Sequence, residues 1–173
     1  MKPKVVGALA EYGNPAVDAF FNRRDEQRRR SEQIPTSYPG DYDGLPTLTF
    51  DPHPGDLPDP GEVVWAFIPF EDDRHVGKDR PTLVIGREAG TKWLVGLPLS
   101  SVDHDADLRQ EAKQHRYWEN IGRGVWDAKG RESFVRLDRI VRVDPLRVRR
   151  IGGAVTEDVF WAIAASLRRN RGK

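Results

Sequence analysis

The apolar residues of this chain concentrate beyond Gly61, in short runs rich in β-branched and aromatic residues. Several runs carry apolar residues at consecutive positions, which is typical of strands buried on both faces. Polar residues 71–80 predict a loop, and residues 88–91 predict a turn. The predicted strands span 61–70, 82–86, 92–100, 117–121, 124–126 and 133–143.

The end of the chain has the pattern of an amphipathic helix. Thr156 is a suitable N-cap, acidic residues follow it, and arginines occupy the last turn, which matches the helix dipole. Its apolar face consists of Val159, Phe160, Ile163, Ala164 and Leu167. Short, closely spaced strands followed by one helix predict a mainly β domain over 61–173, a small β-barrel with a C-terminal helix packed against it.

The first 60 residues form a predicted N-terminal extension. Asn14 and Pro15 can begin a short helix, at about 15–31, that has few apolar residues. Between 35 and 60 the prolines are too dense for helix or sheet, which predicts an extended or disordered arm, with order beginning at Gly61. The arm either wraps the domain or a partner, or is a passive tail.

Composition limits the classes of function. The 173 residues suit one domain with an extension, and the lack of cysteine excludes disulfides, thiolate zinc sites and cysteine nucleophiles. The net charge of +1 is too small for binding polyanions by bulk charge, but residues 131–173 hold eleven basic and five acidic residues. This excess predicts either a phosphate-binding patch or a solvated arginine face. No apolar run is long enough for a membrane span, so we expect a cytoplasmic protein.

Two positions stand out as candidate chemistry. Arg80 closes the polar segment 71–80 just before Pro81, and Ser100 ends the third strand. If the second and third strands are neighbours, both side chains lie at the same end of the barrel. An arginine fork at such a place suits phosphate, although an ordinary ion pair and a turn serine are the preferred interpretation on the residues alone. The acidic cluster at 103–107 is either a hydrated loop or faces a substrate, and the five tryptophans are expected mainly in the core.

Three segments in order resemble the MazF/PemK family of toxins from bacterial toxin–antitoxin pairs: GEVVWAFIPF, GKDRPTLVIG and VGLPLSS, followed by SFVRLDRIVRVD and a terminal helix. The match spans roughly 61–169. The resemblance implies an SH3-like (MazF/CcdB-like) barrel, a homodimer, and an antitoxin protein as partner. It also implies cleavage of single-stranded RNA without metal or other cofactor, giving 2′,3′-cyclic phosphate and 5′-hydroxyl ends.

The resemblance also assigns residues. Arg80 takes the place of the catalytic arginine and Ser100 that of the catalytic threonine or serine. Some members carry a glutamate where this chain has His75, so His75 becomes the candidate general base; an unperturbed imidazole titrates near pH 6.5 and can transfer a proton. Lys78, Ser101 and His104 are expected to contact the substrate.

Two other functions remain open at this point. The barrel could bind RNA or protein with weakened catalysis, a possibility raised by His75 in place of glutamate. A related barrel toxin that poisons DNA gyrase is the other alternative. The arginine–proline and serine–serine segments resemble the ribonuclease branch instead.

Overall fold

The structure, a computed structural model, describes residues 38–101 and 117–171. Within these ranges seven strands form one antiparallel sheet, followed by one α-helix. The elements are β1 (Glu62–Pro69), β2 (Gly77–Arg87), β3 (Leu94–Ser100), β4 (Trp118–Gly122), β5 (Ser133–Arg136), β6 (Val141–Val143), a 3₁₀ turn (Pro145–Arg147), β7 (Arg150–Ala154) and α1 (Glu157–Arg171). The predicted mainly β fold with a C-terminal helix is confirmed. The predicted helix at 15–31 and the acidic cluster at 103–107 lie outside the described residues.

The strands follow the order β4-β5-β3-β2-β1-β7, with β6 also paired to β3. The pairing registers shift between Glu62 and Val64 and between Val84 and Gly86. Bulges of this kind bend and twist a strand. In the described residues the end strands β4 and β7 are not paired with each other, so the barrel-like sheet is not closed.

Strand β2 begins earlier than the sequence indicated. Residues 77–80 were predicted as loop, but they pair with β1, where Lys78 lies opposite Ile68 and Arg80 opposite Ala66. Antiparallel pairing with a buried strand explains the difference, because it satisfies the backbone whatever the side-chain polarity. Arg80 therefore projects from a strand instead of a loop.

Three further predictions of strands are corrected. Residues 124–126 form a turn, in which the buried Trp126 ring packs on Gly124. The single run 133–143 is divided into β5 and β6, which pair with different parts of β3. Strand β7 was missed, because its two glycines are typical of a loop; pairing with β1 holds it in the sheet.

Two apolar clusters cover the two faces of the sheet. The larger lies between the sheet and α1, where Phe160, Ile163 and Leu167 are almost fully buried. The predicted apolar face of the helix is thus confirmed, with Val159 packed at its margin. The smaller cluster, on the other face, consists of Val64, Ala66, Ile68, Val84, Leu94, Val141 and Val143. In the described residues no helix has the length and apolar character of a membrane span.

Residues 38–51, called the belt here, run along the sheet and not away from it. The Tyr42 amide donates to the Ile140 carbonyl at 2.8 Å, and the Thr49 amide donates to the Ile85 carbonyl at 3.0 Å. The Phe50 ring lies 5.2 Å from that of Phe160. The expectation that order begins at Gly61 is therefore wrong: prolines prevent a regular ladder, but isolated hydrogen bonds and side-chain packing order this segment.

Candidate functional site: a cationic groove

A cavity of about 740 Å³ opens at the end of the sheet where β2 begins and β3 ends. We call it the groove. Its wall combines aromatic rings, hydroxyls and charges of both signs. Its polar and aromatic lining consists of Trp65, Phe70, Trp118 and Trp126; Lys78, Arg80, Arg131, Arg136 and Arg139; Ser100, Ser101 and Ser133; and Glu71, Asp72, Asp79 and Asp127.

The register of β2 and β3 brings Arg80 and Ser100 together. Thr82 lies opposite Pro98 and Leu83 opposite Leu97. Continuing that antiparallel register by two residues places Arg80 level with Ser100. Residues opposite each other on neighbouring strands project to the same side of a sheet. Both side chains accordingly line the groove, as the strand order in the sequence had indicated.

Arg80 carries a charge that its surroundings do not balance. Within residues 38–101 and 117–171 its guanidinium forms no hydrogen bond or ion pair with a carboxylate. Burial lowers the pKa of Arg80, the charges of Arg139 and Arg136 lower it further, and Glu71 opposes them. The guanidinium stays protonated at neutral pH. Half-buried and beside two other cations, it is suited to an anionic ligand.

The two neighbouring arginines are held by carboxylates. Arg136 donates to Asp138 at 2.7 Å and to Glu71 at 2.7 Å, and its side chain is 12% exposed. Burial acts to lower the pKa of Arg136, but bonds from Asp138 and Glu71 outweigh it and raise the pKa. Arg139 pairs with Asp41 at 2.7 Å. Within the predicted basic patch of residues 131–173, Arg136 and Arg139 are therefore paired with carboxylates, and two of these, Glu71 and Asp41, come from distant parts of the chain.

Hydrogen bonds hold two of the tryptophans that line the groove. The Trp65 indole donates to the Trp126 carbonyl at 3.0 Å, and the Trp126 indole donates to the Ser133 hydroxyl at 2.9 Å. Trp126 is 4% exposed, yet one edge of it lines the groove. The expectation that tryptophans belong to the core is correct for this residue, and its hydrogen bonds make this part of the groove wall rigid.

The other predicted site residues are divided. Lys78 and Ser101 line the groove. His75 does not: it lies on the exposed turn before β2, where its amide donates to the Asp73 carboxylate at 2.9 Å. His104 lies outside the described residues. The catalytic and substrate-binding roles of these residues remain predictions.

The sequence analysis did not find the groove residues Glu71 and Arg131. Glu71 lies two residues after the end of β1, and its charge acts on the pKa of Arg80. Nothing in the local sequence distinguishes it from the acidic residues beside it. Within the described ranges, no three histidine, aspartate or glutamate side chains come together as potential metal ligands.

The fold is that of a small SH3-like β domain with a groove at one end of its sheet. The family model of the PemK-like, MazF-like toxin of type II toxin–antitoxin systems matches residues 59–170, more than half of the sequence, and the chain belongs to this family. A search of curated proteins gives no match.

Several solved structures are similar to this chain at low sequence identity. An endoribonuclease in complex with its cognate antitoxin, from a mycobacterial species, is 17% identical, with a TM-score of 0.48; the match covers 66% of this chain and 95% of that one. MazE–MazF from Deinococcus radiodurans is 18% identical, with a TM-score of 0.47, covering 67% and 96%. The Mycobacterium tuberculosis toxin MazF-mt6 is 17% identical, with a TM-score of 0.41, covering 63% and 94%.

Proposed function

We propose that this protein is a metal-independent, sequence-selective endoribonuclease toxin that cleaves single-stranded RNA. The observation that carries the proposal is the Arg80 guanidinium, which faces the groove without a carboxylate partner in the described residues, level with Ser100. Membership of the toxin family supports the same activity.

The proposed reaction is attack of a ribose 2′-hydroxyl on the adjacent phosphorus. The 5′-oxygen leaves with a proton, giving a 2′,3′-cyclic phosphate and a 5′-hydroxyl. Such a step needs in-line geometry, an acceptor for the proton of the 2′-hydroxyl, a proton donor for the leaving 5′-oxygen, and stabilisation of the charge on the non-bridging oxygens. Arg80 supplies that charge, and the Ser100 hydroxyl donates to a phosphate oxygen. Lys78 and Ser101 bind neighbouring phosphates.

Two side chains are candidates for the proton acceptor. Glu71 lines the groove, and it is the carboxylate whose charge acts on the pKa of Arg80. His75 lies outside the groove lining. We therefore propose Glu71 as the general base, with His75, which aligns with the glutamate of some family members, as the alternative.

A pH–rate profile distinguishes these two candidates. Glu71→Gln is expected to lower kcat about 10²-fold and to remove the acid limb of kcat/KM, because a positioned base typically contributes this much. His75→Ala is expected to keep the wild-type kcat and the acid limb of kcat/KM. The measurement is initial cleavage rate against pH for the wild type and each variant. An acid limb that persists in Glu71→Gln and disappears in His75→Ala would assign the base to the histidine.

Cleavage in the presence of EDTA tests the proposal as a whole. The purified protein is expected to cut single-stranded RNA at the same rate with and without chelator, and mass spectrometry is expected to find cyclic phosphate on the upstream product. A rate that falls with EDTA and returns with added Mg²⁺ contradicts the metal-independent mechanism. Binding of many RNA sequences without any product indicates an RNA-binding module on the same barrel.

The proposal extends to partners and compartment. Since the family belongs to type II toxin–antitoxin systems, we infer a cognate antitoxin protein. An acidic antitoxin segment would offer Arg80 the carboxylate that the described residues do not provide. We infer a homodimer acting in the cytoplasm.

A further inference from the structure

The belt contacts the wall of the groove through the Asp41 side chain, which pairs with the groove-lining Arg139. Arg142 holds the belt backbone by donating to the Gly40 carbonyl at 2.9 Å and to the Asp41 carbonyl at 3.0 Å. The Tyr38 hydroxyl donates to the Asp41 carboxylate at 2.7 Å, and burial, then that bond, raises the pKa of Tyr38. Contacts on both sides therefore fix the Asp41 carboxylate in place.

The carboxylate that the belt presents is paired with Arg139. Arg139 Nε donates to Asp41 Oδ2 at 2.7 Å, and Nη2 donates to Asp41 Oδ1 at 3.2 Å. Nη2 also donates to the Pro69 carbonyl at 2.6 Å, at the end of β1. The Arg139 side chain is 9% exposed. In the described residues, Asp41 is the carboxylate that balances this nearly buried charge.

Arg139 lines the groove and its charge lowers the pKa of Arg80. A free Arg139 would therefore offer a phosphate a second guanidinium close to the first. With Asp41 bound, Arg139 is held flat against the wall by three hydrogen bonds. Arg80 has no such partner in the described residues, so its guanidinium is available to bind the phosphate.

We propose that Asp41 is a positioning residue of the groove, acting through Arg139. It restrains and neutralises Arg139, so that the scissile phosphate is bound by Arg80 in one productive geometry. This inference rests on the proposed ribonuclease function. Since Asp41 lies outside residues 59–170, the part matched by the family model, it also implies that the functional domain includes residues 38–60 and does not begin at residue 61.

Removing the Asp41 charge is expected to change RNA binding in a way that a general loss of structure does not. In Asp41→Asn, Arg139 loses its counter-charge and competes with Arg80 for phosphate. RNA then binds more tightly but less productively, so kcat falls about 10-fold while KM also falls. One additional phosphate contact makes the slope of log K against log salt steeper by about 0.7 for a single strand. A merely loosened structure would raise KM and leave that slope unchanged or shallower.

The experiment compares full-length wild type, Asp41→Asn and Asp43→Asn. Asp43 is the matched control: it is an exposed belt carboxylate whose hydrogen bond, within the described residues, is to the neighbouring Gly44 amide. Steady-state cleavage gives kcat and KM. Fluorescence anisotropy of a 2′-O-methyl oligonucleotide, which cannot be cleaved, gives the salt slope. Asp41→Glu keeps the charge, and we expect it to keep the wild-type slope even if its kcat is reduced.

A double variant distinguishes the release of Arg139 from a folding defect. In Asp41→Asn/Arg139→Gln the released cation is absent, and we expect the slope to return to that of the wild type. If the wild type cleaves RNA and Asp41→Asn behaves like Asp43→Asn, the role of Asp41 is overturned but the proposed function is not. A raised KM with an unchanged salt slope in Asp41→Asn has the same consequence. A wild type that neither cleaves nor binds RNA overturns the proposed function and this inference together.

Discussion

Arg80→Ala is expected to lower kcat for RNA cleavage about 10³-fold. Removal of one preorganised donor to a developing oxyanion typically costs 10²–10³-fold in rate. The upper end is expected here because Arg136 and Arg139, the other arginines near Arg80, are already committed to carboxylates. KM is expected to change less, since Lys78 and the tryptophans continue to hold the substrate. Single-turnover cleavage with excess enzyme measures the chemical step directly.

The matched control for this variant is Arg87→Ala. Arg87 lies on the same strand, at its other end, and pairs with Asp59 at 2.8 Å outside the groove lining. Its loss removes an equal charge from β2, so any effect of net charge on RNA binding appears in both variants. An Arg80→Ala protein as active as Arg87→Ala would show that the groove is not the site of cleavage.

Phe160→Ala is expected to lower the free energy of unfolding by about 4 kcal/mol, as is usual for a fully buried phenylalanine. Phe160 is 1% exposed and joins the helix to both the sheet and the belt, where Phe50 contacts it. For a protein of this length that corresponds to a fall in Tm of about 8–16 °C. Thermal unfolding followed by circular dichroism provides the measurement.

Trp161→Ala is the neighbouring control. Trp161 is a larger side chain on the same turn of α1, but it is 39% exposed and its indole donates to Glu157 at 3.3 Å. We expect its removal to cost about 1 kcal/mol or less. Similar losses for the two variants would mean that the helix is not anchored to the sheet through Phe160.

The elements that were predicted correctly are those whose own sequence carries a clear apolar pattern. Strands β1 and β3 are continuous apolar runs, and α1 has a 3.6-residue periodicity with charges placed to suit its dipole. The sequence also predicted that Arg80 and Ser100 lie at one end of the sheet, on the condition that the second and third strands are neighbours. The assignment of roles to these two residues came from the family resemblance and remains a prediction.

The parts that were missed depend on partners far away in the sequence. Strand β7 contains Gly152 and Gly153, and only the packing of Trp126 against Gly152 and the pairing with β1 explain why glycine is needed in a strand. The belt was interpreted from its prolines alone. Arg139 looked like part of a basic patch because its carboxylate partner lies 98 residues earlier in the chain.

That separation of 98 residues between Asp41 and Arg139 has a consequence for biosynthesis. At an elongation rate of about 5–20 residues per second, Asp41 is added to the chain about 5–20 s before Arg139. The interval between the synthesis of Phe50 and that of its contact Phe160 is longer still. The Arg139 side of the groove wall therefore gains its carboxylate partner from a segment that was made long before it, and the pairing of the two arises only after most of the sheet has been synthesised.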